Sequence, residues 1–187
     1  MYQITKAKKL ADKIYLMDVV APRVAANCLP GQFIIAKVDK EGERIPLTIC
    51  DYDREKGTIT IVFQIVGAST EKMSKLVAGD SFTDFVGPLG VASEFTKEDP
   101  EALKNKKFLF VAGGVGAAPV YPQVKWLHEH GIQADVIVGA KTQSLILLAE
   151  EMKAVGNVYI TTDDGSSERK GMGNQVIQEQ HDQGKKY

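Results

Sequence analysis

Phe108-Leu109-Phe110-Val111-Ala112-Gly113-Gly114-Val115-Gly116-Ala117-Ala118-Pro119 is the stretch whose reading decides the fold. Four bulky apolar residues run straight into a glycine turn, the signature of a short buried strand in a parallel sheet. Behind the turn, Ala117, Val120, Tyr121, Val124, Leu127 and His128 recur at helical spacing and predict a helix over 117–130, closed by Gly131. Strand, glycine turn and helix together suit a phosphate. Glycines let the backbone approach it, and the N–H groups of the first helical turn point at its negative charge. The pattern departs from the full dinucleotide fingerprint because Pro119 takes the place of a third glycine, although proline is at home in a first helical turn. Taken alone, the stretch also fits a plain tight turn of an α/β domain.

Downstream the same grammar repeats. A strand over 135–138 leads through Gly139-Ala140-Lys141-Thr142 into a helix predicted over 144–155, with Leu145, Leu148, Ala149, Met152 and Val155 on one face. Gly156 ends that helix, a strand over 157–161 runs into Thr162-Asp163-Asp164-Gly165-Ser166, and a last helix is expected over 176–181. This βαβαβ order implies a parallel sheet with right-handed crossovers, whose ligands bind at the carboxyl ends of the strands. The loops at Gly113, Gly139 and Thr162 all leave by that edge, which favours nucleotide binding over a plain turn. No carboxylate ends the second strand to hold a ribose hydroxyl. Lys141 stands there instead, without deciding between NADH and NADPH, and Asp135 is at the opposite end. Three strands are few for a dinucleotide domain, so a longer chain or a partner is expected to complete the sheet.

Up to about Val91 the period is two, the pattern of strands. Ile59, Ile61 and Phe63 alternate with Thr58, Thr60, Val62 and Gln64, and 15–20, 32–38 and 45–50 read as further strands. Pro22, Pro30-Gly31, Glu41-Gly42-Glu43 and the run 51–57 separate them. Short strands with regular turn signals predict a small antiparallel barrel. One helix is expected within it over 69–76, with Ser69 or Thr70 as N-cap. Gly87-Pro88-Leu89-Gly90 reads as a turn, and the polar segment 92–100 divides the chain into domains over 1–97 and 103–187.

Two places in this half carry chemistry. Arg44 heads Arg44-Ile45-Pro46-Leu47-Thr48-Ile49, and its rigid fork of donors suits a phosphate. Pro46 cannot donate to a ladder, which puts the strand at an edge or against a ligand. A charged strand mouth with an edge proline accounts for the same residues without a ligand. In Gln64-Ile65-Val66-Gly67-Ala68-Ser69-Thr70 a strand passes through glycine into a helix start. Its N–H groups and two hydroxyls either hold a second phosphate or simply cap the helix.

Composition excludes more than it assigns. The 187 residues, 44% hydrophobic and 25% charged, are those of an ordinary globular protein. A net charge of −1 supplies no field to recruit nucleic acid or an anionic membrane. Lysines at 6, 8 and 9 and at 104, 106 and 107 read as solvated faces and loops. Cys28 and Cys50 lack C-x-x-C spacing and form neither a disulfide framework nor a four-cysteine iron–sulfur or other metal site. No signal-peptide core or membrane-spanning stretch is seen, so the cytoplasm is the expected compartment. His128, His130 and His181 fall on or beside helices as surface residues, and no triad or general base emerges.

A small barrel carrying R-I-P-L-T-I at 44–49, followed by a βαβ domain opening G-G-V-G-A-A-P at 113–119, resembles the ferredoxin–NADP reductase superfamily over nearly the whole chain. Within it the chain is similar to the small flavin subunits of NADH-dependent ferredoxin:NADP oxidoreductases and sulfide dehydrogenases, with the dihydroorotate dehydrogenase electron-transfer subunits as near relatives. The resemblance implies FAD on the barrel and NAD(P)H on the second domain, the nicotinamide stacked over the isoalloxazine. Arg44 would pair with the FAD phosphate, and Pro46, Leu47 and Thr48 would line the flavin, Thr48 lying near N5 at the reacting atoms. Ile65, Val66, Gly67, Ser69 and Thr70 would wrap the ring edge and diphosphate. Gly113, Gly114, Val115, Gly116, Ala117 and Pro119 would form the NAD(P) pyrophosphate turn, with Gly139 beside it. Thr162, Asp163, Asp164 and Gly165 would close over the nicotinamide side.

Pro46 stands where the wider superfamily often has an aromatic residue. The near relatives also hold a [2Fe-2S] cluster in a cysteine-rich tail, and the chain stops before any such tail. The implied function is an oxidoreductase subunit that passes hydride from NAD(P)H to FAD and electrons singly to an iron–sulfur partner. The expected partners are a larger oxidoreductase subunit, in a heterodimer, and ferredoxin or another iron–sulfur protein. A dihydroorotate dehydrogenase electron-transfer subunit would carry the same cofactors with a different partner. A non-catalytic module reporting redox state through a bound nucleotide is the rival of another class, and it predicts nucleotide binding without flavin.

Overall fold

The period-two segments of the first half become the strands β1 (Tyr2–Ala11), β2 (Ile14–Val20), β3 (Phe33–Lys37), β4 (Ile45–Asp53), β5 (Thr58–Gln64), β6 (Ser81–Phe82) and β7 (Asp84–Leu89). They pair antiparallel in the order β6-β1-β2-β5-β4-β3-β7. The two edge strands, β6 and β7, are joined by Thr83 alone, whose N–H donates to the Lys37 carbonyl at 3.0 Å. The sheet therefore curls until its edges meet, giving a nearly closed antiparallel barrel. Ile4, Met17, Ile34, Ile49, Ile59, Ile61, Phe63, Phe82 and Phe85 fill it. This structure is a computed structural model describing all 187 residues, and it divides into two units, Met1–Thr96 and Lys97–Tyr187.

Several elements of the first unit depart from the pattern reading. β1 is a full strand that the sequence reading passed over. Its inward set contains Ile4 and the small Ala7, while Lys6, Lys8 and Lys9 lie exposed on a strand rather than in a loop. Pro22 opens a helix, α1 (Pro22–Asn27), because the first helical position needs no N–H. Residues 87–89, read as part of a turn, belong to β7. The second helix, α2 (Ala68–Met73), is shorter than 69–76, and its N-cap is Gly67 rather than Ser69 or Thr70.

In the second unit β8 (Phe108–Gly113), β9 (Ala134–Ala140) and β10 (Asn157–Thr162) form a parallel sheet in the order β10-β9-β8. Around it lie α3 (Pro100–Leu103), α4 (Ala117–Glu129), α5 (Ala149–Lys153) and α6 (Gly173–Asp182). The central strand is buried from Ala134 to Val138, as a parallel strand covered on both faces must be. Helix α4 ends in a Schellman motif: the Gly131 N–H donates to the His128 carbonyl and the Ile132 N–H to Leu127, both at 2.9 Å, with Gly131 at φ +74°. Its buried face is Ala117, Ala118, Pro122, Val124, Trp126 and Leu127, and His128, although at helical spacing with the apolar positions, is exposed, as its reading as a surface residue expects.

The helix expected over 144–155 is broken. A 3-10 turn at Gln143–Leu145 is followed by extended Ile146 and left-handed Leu148, and only α5 remains helical. Four consecutive apolar residues, 145–148, span more than one helical face; the break lets Leu147 and Leu148 both enter the core. The last helix starts earlier than 176–181, at Gly173. No helix is long and apolar enough to cross a membrane.

Candidate functional site

The barrel opens where two strands part. β4 pairs with β3 from Ile45 to Thr48 but meets β5 only from Ile49, opposite Ile61. Beyond that point β5 keeps its ladder to β2 as far as Gln64 and then turns into α2. The stretch carrying Pro46 is thus laddered on one side only, which is where a residue without an N–H does no damage. Between the parted segments lies an open groove of about 450 Å³, lined by Glu43, Arg44, Ile45, Pro46, Val66, Gly67, Ala68, Ser69 and Thr70. Residues about twenty positions apart in sequence, singled out separately as phosphate-binding candidates, line one groove.

Alternation along β4 decides which side chains contribute. Pro46 is exposed in the groove, whereas Leu47 packs against the barrel core and offers that face only its backbone. Leu47, Thr48 and Ile65 do not line the groove, and the Ile65 N–H is spent on the Lys13 carbonyl at 2.8 Å. The guanidinium of Arg44, 57% exposed, reaches the Asp84 carboxylate at 2.7 Å.

The second wall is more self-satisfied than its sequence suggests. The Thr70 hydroxyl oxygen accepts from the Val66 N–H at 2.9 Å and from the Gly67 N–H at 3.1 Å, and its proton goes to the Gly67 carbonyl. Those two amides and that hydroxyl hold the loop rather than stand free for a ligand. Ser69 donates to the Glu43 carboxylate. Gly67 has extended backbone that any residue adopts, yet a Cβ there would meet no protein atom within 4 Å. The space beside it belongs to the groove. Glu43 and Asp84 were missed by sequence reasoning; Glu43 adjoins Arg44, but nothing local marks Asp84, which only the fold brings to that arginine.

The second unit presents its strand ends level with one another: Gly113 pairs with Gly139, Gly139 with Thr161, and Ala140 with Thr162. From Gly113 the chain makes a 3-10 turn, Gly114–Gly116, directly into α4, which no side chain caps. Gly114 takes φ +53°, and a Cβ on Gly113, Gly114 or Gly116 would meet nothing within 4 Å. Val115, Ala117 and Pro119 lie in this turn and the first turn of α4. Gly139 lies inside β9 rather than in a loop, and a Cβ there would come into ordinary contact with the Thr161 methyl.

Thr162 is fully buried and serves the loop that follows it. Its N–H donates to the Arg169 carbonyl at 2.9 Å, its carbonyl accepts from Gly171 at 3.0 Å, and its hydroxyl accepts from Ser167 at 3.1 Å. The side chain expected over the nicotinamide is therefore an anchor. Asp163 and Asp164 are exposed. Hydrogen bonds from the Ser166 hydroxyl and N–H hold the Asp164 carboxyl below the usual carboxylate range. Ser166 also accepts from the Gln143 N–H at 2.8 Å, which ties this loop to the one after β9.

At the opposite end of the sheet Asp135 is nearly buried and accepts from Tyr187 Oη at 2.6 Å, Lys185 Nζ at 2.9 Å and Asn157 Nδ2 at 2.9 Å. Burial alone would raise its pKa; the three hydrogen bonds and the lysine charge outweigh that and hold it below its ordinary value. No group of three or more His, Cys, Asp or Glu side chains is arranged to hold a metal ion.

No family model matches the chain. A Clostridium beijerinckii protein known only as an uncharacterised protein of the adh 3′ region is 60% identical over 100% of the chain and 64% of its own length. A dihydroorotate dehydrogenase B (NAD(+)) electron-transfer subunit homologue of Thermotoga maritima is 36% identical over 91% of the chain and 58% of its own length. The dihydroorotate dehydrogenase B (NAD(+)) electron-transfer subunit of Geobacillus kaustophilus is 30% identical over 94% and 67%. The chain thus spans only about three-fifths to two-thirds of the relatives it matches. Among solved structures, a chain of NADH-dependent reduced ferredoxin-NADP oxidoreductase superposes with a TM-score of 0.87 at 33% identity, covering 97% of this chain and 63% of that one. On this similarity and on its barrel and parallel-sheet units, the chain belongs to the family of dihydroorotate dehydrogenase B electron-transfer subunits, with a ferredoxin-reductase-like fold.

Proposed function

We propose that this chain is the flavin- and nicotinamide-binding part of an electron-transfer subunit that takes hydride from NAD(P)H and delivers electrons to an iron–sulfur partner. The observation that carries the reading is the groove in which Arg44, Pro46, Gly67 and Ser69 converge where β4 and β5 part. FAD fits its chemistry: a cation at the mouth, a hydroxyl donor on one wall, and open space beside Gly67. Bound there, FAD would supply the conversion of a two-electron hydride into single electrons.

The chain's own residues bind and orient. Arg44 has donors beyond the one engaged by Asp84 and directs them at a phosphate. Ser69 donates from the facing wall, while Thr70 keeps the 66–70 loop rigid. Pro46 presents an apolar surface to a ring, and Thr48, two ladder pairs further along β4, is our candidate for the residue near the reacting flavin nitrogen. In the second unit Gly114 and Gly116 leave room for a pyrophosphate against the start of α4. Thr162 anchors the 162–171 loop that holds Asp163, Asp164 and Gly165 at the same edge. No general base is required, because the cofactors carry the reacting atoms. The relatives' names favour a larger dehydrogenase subunit as the partner, and ferredoxin is the second candidate, supported by the similarity to NADH-dependent ferredoxin-NADP oxidoreductase.

The test is the visible spectrum of the purified protein before and after anaerobic addition of NADH or NADPH. A flavin spectrum that bleaches is expected. A colourless protein that cannot be reconstituted with FAD refutes the reading and leaves the nucleotide-binding sensor as the better account.

A further inference from the structure

The groove already contains an anion. Of the two hydroxyls on its wall, that of Thr70 is committed to the Val66 and Gly67 backbone, so Ser69 holds the one hydroxyl not tied to the loop's own backbone. A hydroxyl has a single proton, and Ser69 gives its proton to the Glu43 carboxylate. Glu43 itself lines the groove, directly before Arg44 in the chain. Arg44 is itself paired with Asp84, a residue outside the groove lining, at 2.7 Å. One carboxylate, that of Glu43, thus lines the groove together with Arg44 and already holds the Ser69 hydrogen bond. A phosphate oxygen can receive the Ser69 hydrogen bond only after Glu43 has left it, and it then lies beside a like charge.

We propose that Glu43 is an internal competitor for the phosphate position, satisfying Ser69 while the groove is empty and setting how tightly a flavin phosphate binds. This rests on the reading of the groove as a flavin-phosphate site. The device weakens binding by the cost of displacing one hydrogen-bonded carboxylate and of holding its charge near the diphosphate. It acts only on ligands that carry phosphate, so riboflavin is indifferent to it.

The experiment titrates the apoprotein with FAD and riboflavin by flavin fluorescence, and with inorganic pyrophosphate by calorimetry. It compares the parent chain, Glu43→Ala, and Glu41→Ala as a neighbouring exposed carboxylate outside the groove. For Glu43→Ala we expect FAD and pyrophosphate to bind about five- to tenfold tighter, from a released donor and a removed like charge. Riboflavin affinity and the Glu41→Ala affinities should not change. Unchanged or weaker FAD and pyrophosphate binding in Glu43→Ala overturns the proposal, as does an equal gain for riboflavin or in Glu41→Ala. If the parent chain binds pyrophosphate but no FAD, the flavin reading fails on its own, and the pyrophosphate comparison still decides the role of Glu43. Binding of neither ligand by any form overturns both.

Discussion

Replacing Arg44 with alanine separates the ligand-binding role of the groove from its structural role, because the structure assigns very different magnitudes to the two. The arginine's ion pair in the protein is with Asp84 at 2.7 Å, the two side chains being 57% and 30% exposed. A pair so exposed contributes at most about 1 kcal/mol to folding, since solvent screens it and two side chains must be ordered to form it. The barrel core does not include Arg44. Loss of stability should therefore stay within about 1 kcal/mol, a fall of a few degrees in Tm. A charge-assisted hydrogen bond to a phosphate contributes about 1.5–3 kcal/mol. That converts to roughly a ten- to hundredfold weaker FAD affinity. The assay is flavin absorbance relative to protein in the purified variant, followed by FAD titration of the apoprotein and a thermal melt by circular dichroism. Arg44→Lys should fall between, keeping the charge but losing the fork. Unchanged flavin content in Arg44→Ala would refute the phosphate assignment. A collapsed melt would refute the premise that the Asp84 pair is peripheral to folding.

Gly116→Leu is predicted to leave FAD bound but to suppress reduction by NAD(P)H, because the new side chain enters space that no protein atom occupies and the backbone there is not left-handed; reduction at the parental rate would place the pyrophosphate elsewhere. Thr70→Val removes the acceptor of two amides in the 66–70 loop, at a cost of about 1–3 kcal/mol, and amide exchange at Val66 and Gly67 should accelerate while the other barrel amides change little. The Asp135 cluster predicts two flanks in the pH–stability profile. Asp135, held below 3.8, contributes stability that is full above that value and lost as pH falls through its folded pKa. Tyr187, pushed up to about 12 by burial and by Asp135, contributes below its unfolded value near 10, and this is lost as pH rises towards 12; Lys185, raised through Tyr159 and Asp135, acts in the same direction. Asp135→Asn should flatten both flanks in urea melts taken across the pH range; a profile indistinguishable from the parent would remove the cluster from the account.

The sequence by itself determined the two-part architecture, because hydrophobic period is a local property. Ile59, Ile61 and Phe63 point into the barrel wherever its other strands lie, and an apolar run ending in Gly113-Gly114 makes a strand, turn and helix from neighbouring residues alone. Arg44, Pro46, Gly67 and Ser69 were legible as separate candidates for the same reason. The family resemblance set them around one flavin, but the residues alone do not bring them together; the groove they share depends on where the ladder between β4 and β5 begins, and register is fixed by the packing of the whole barrel. Only the tertiary structure decided which groups are spent internally: Leu47 on the core, Thr70 on two amides, Thr162 on its own loop. The pairings Arg44–Asp84 and Ser69–Glu43 join segments distant in sequence. A donor's chemistry is written in its residue type, but whether it is free for a ligand depends on which distant acceptor the fold brings within reach.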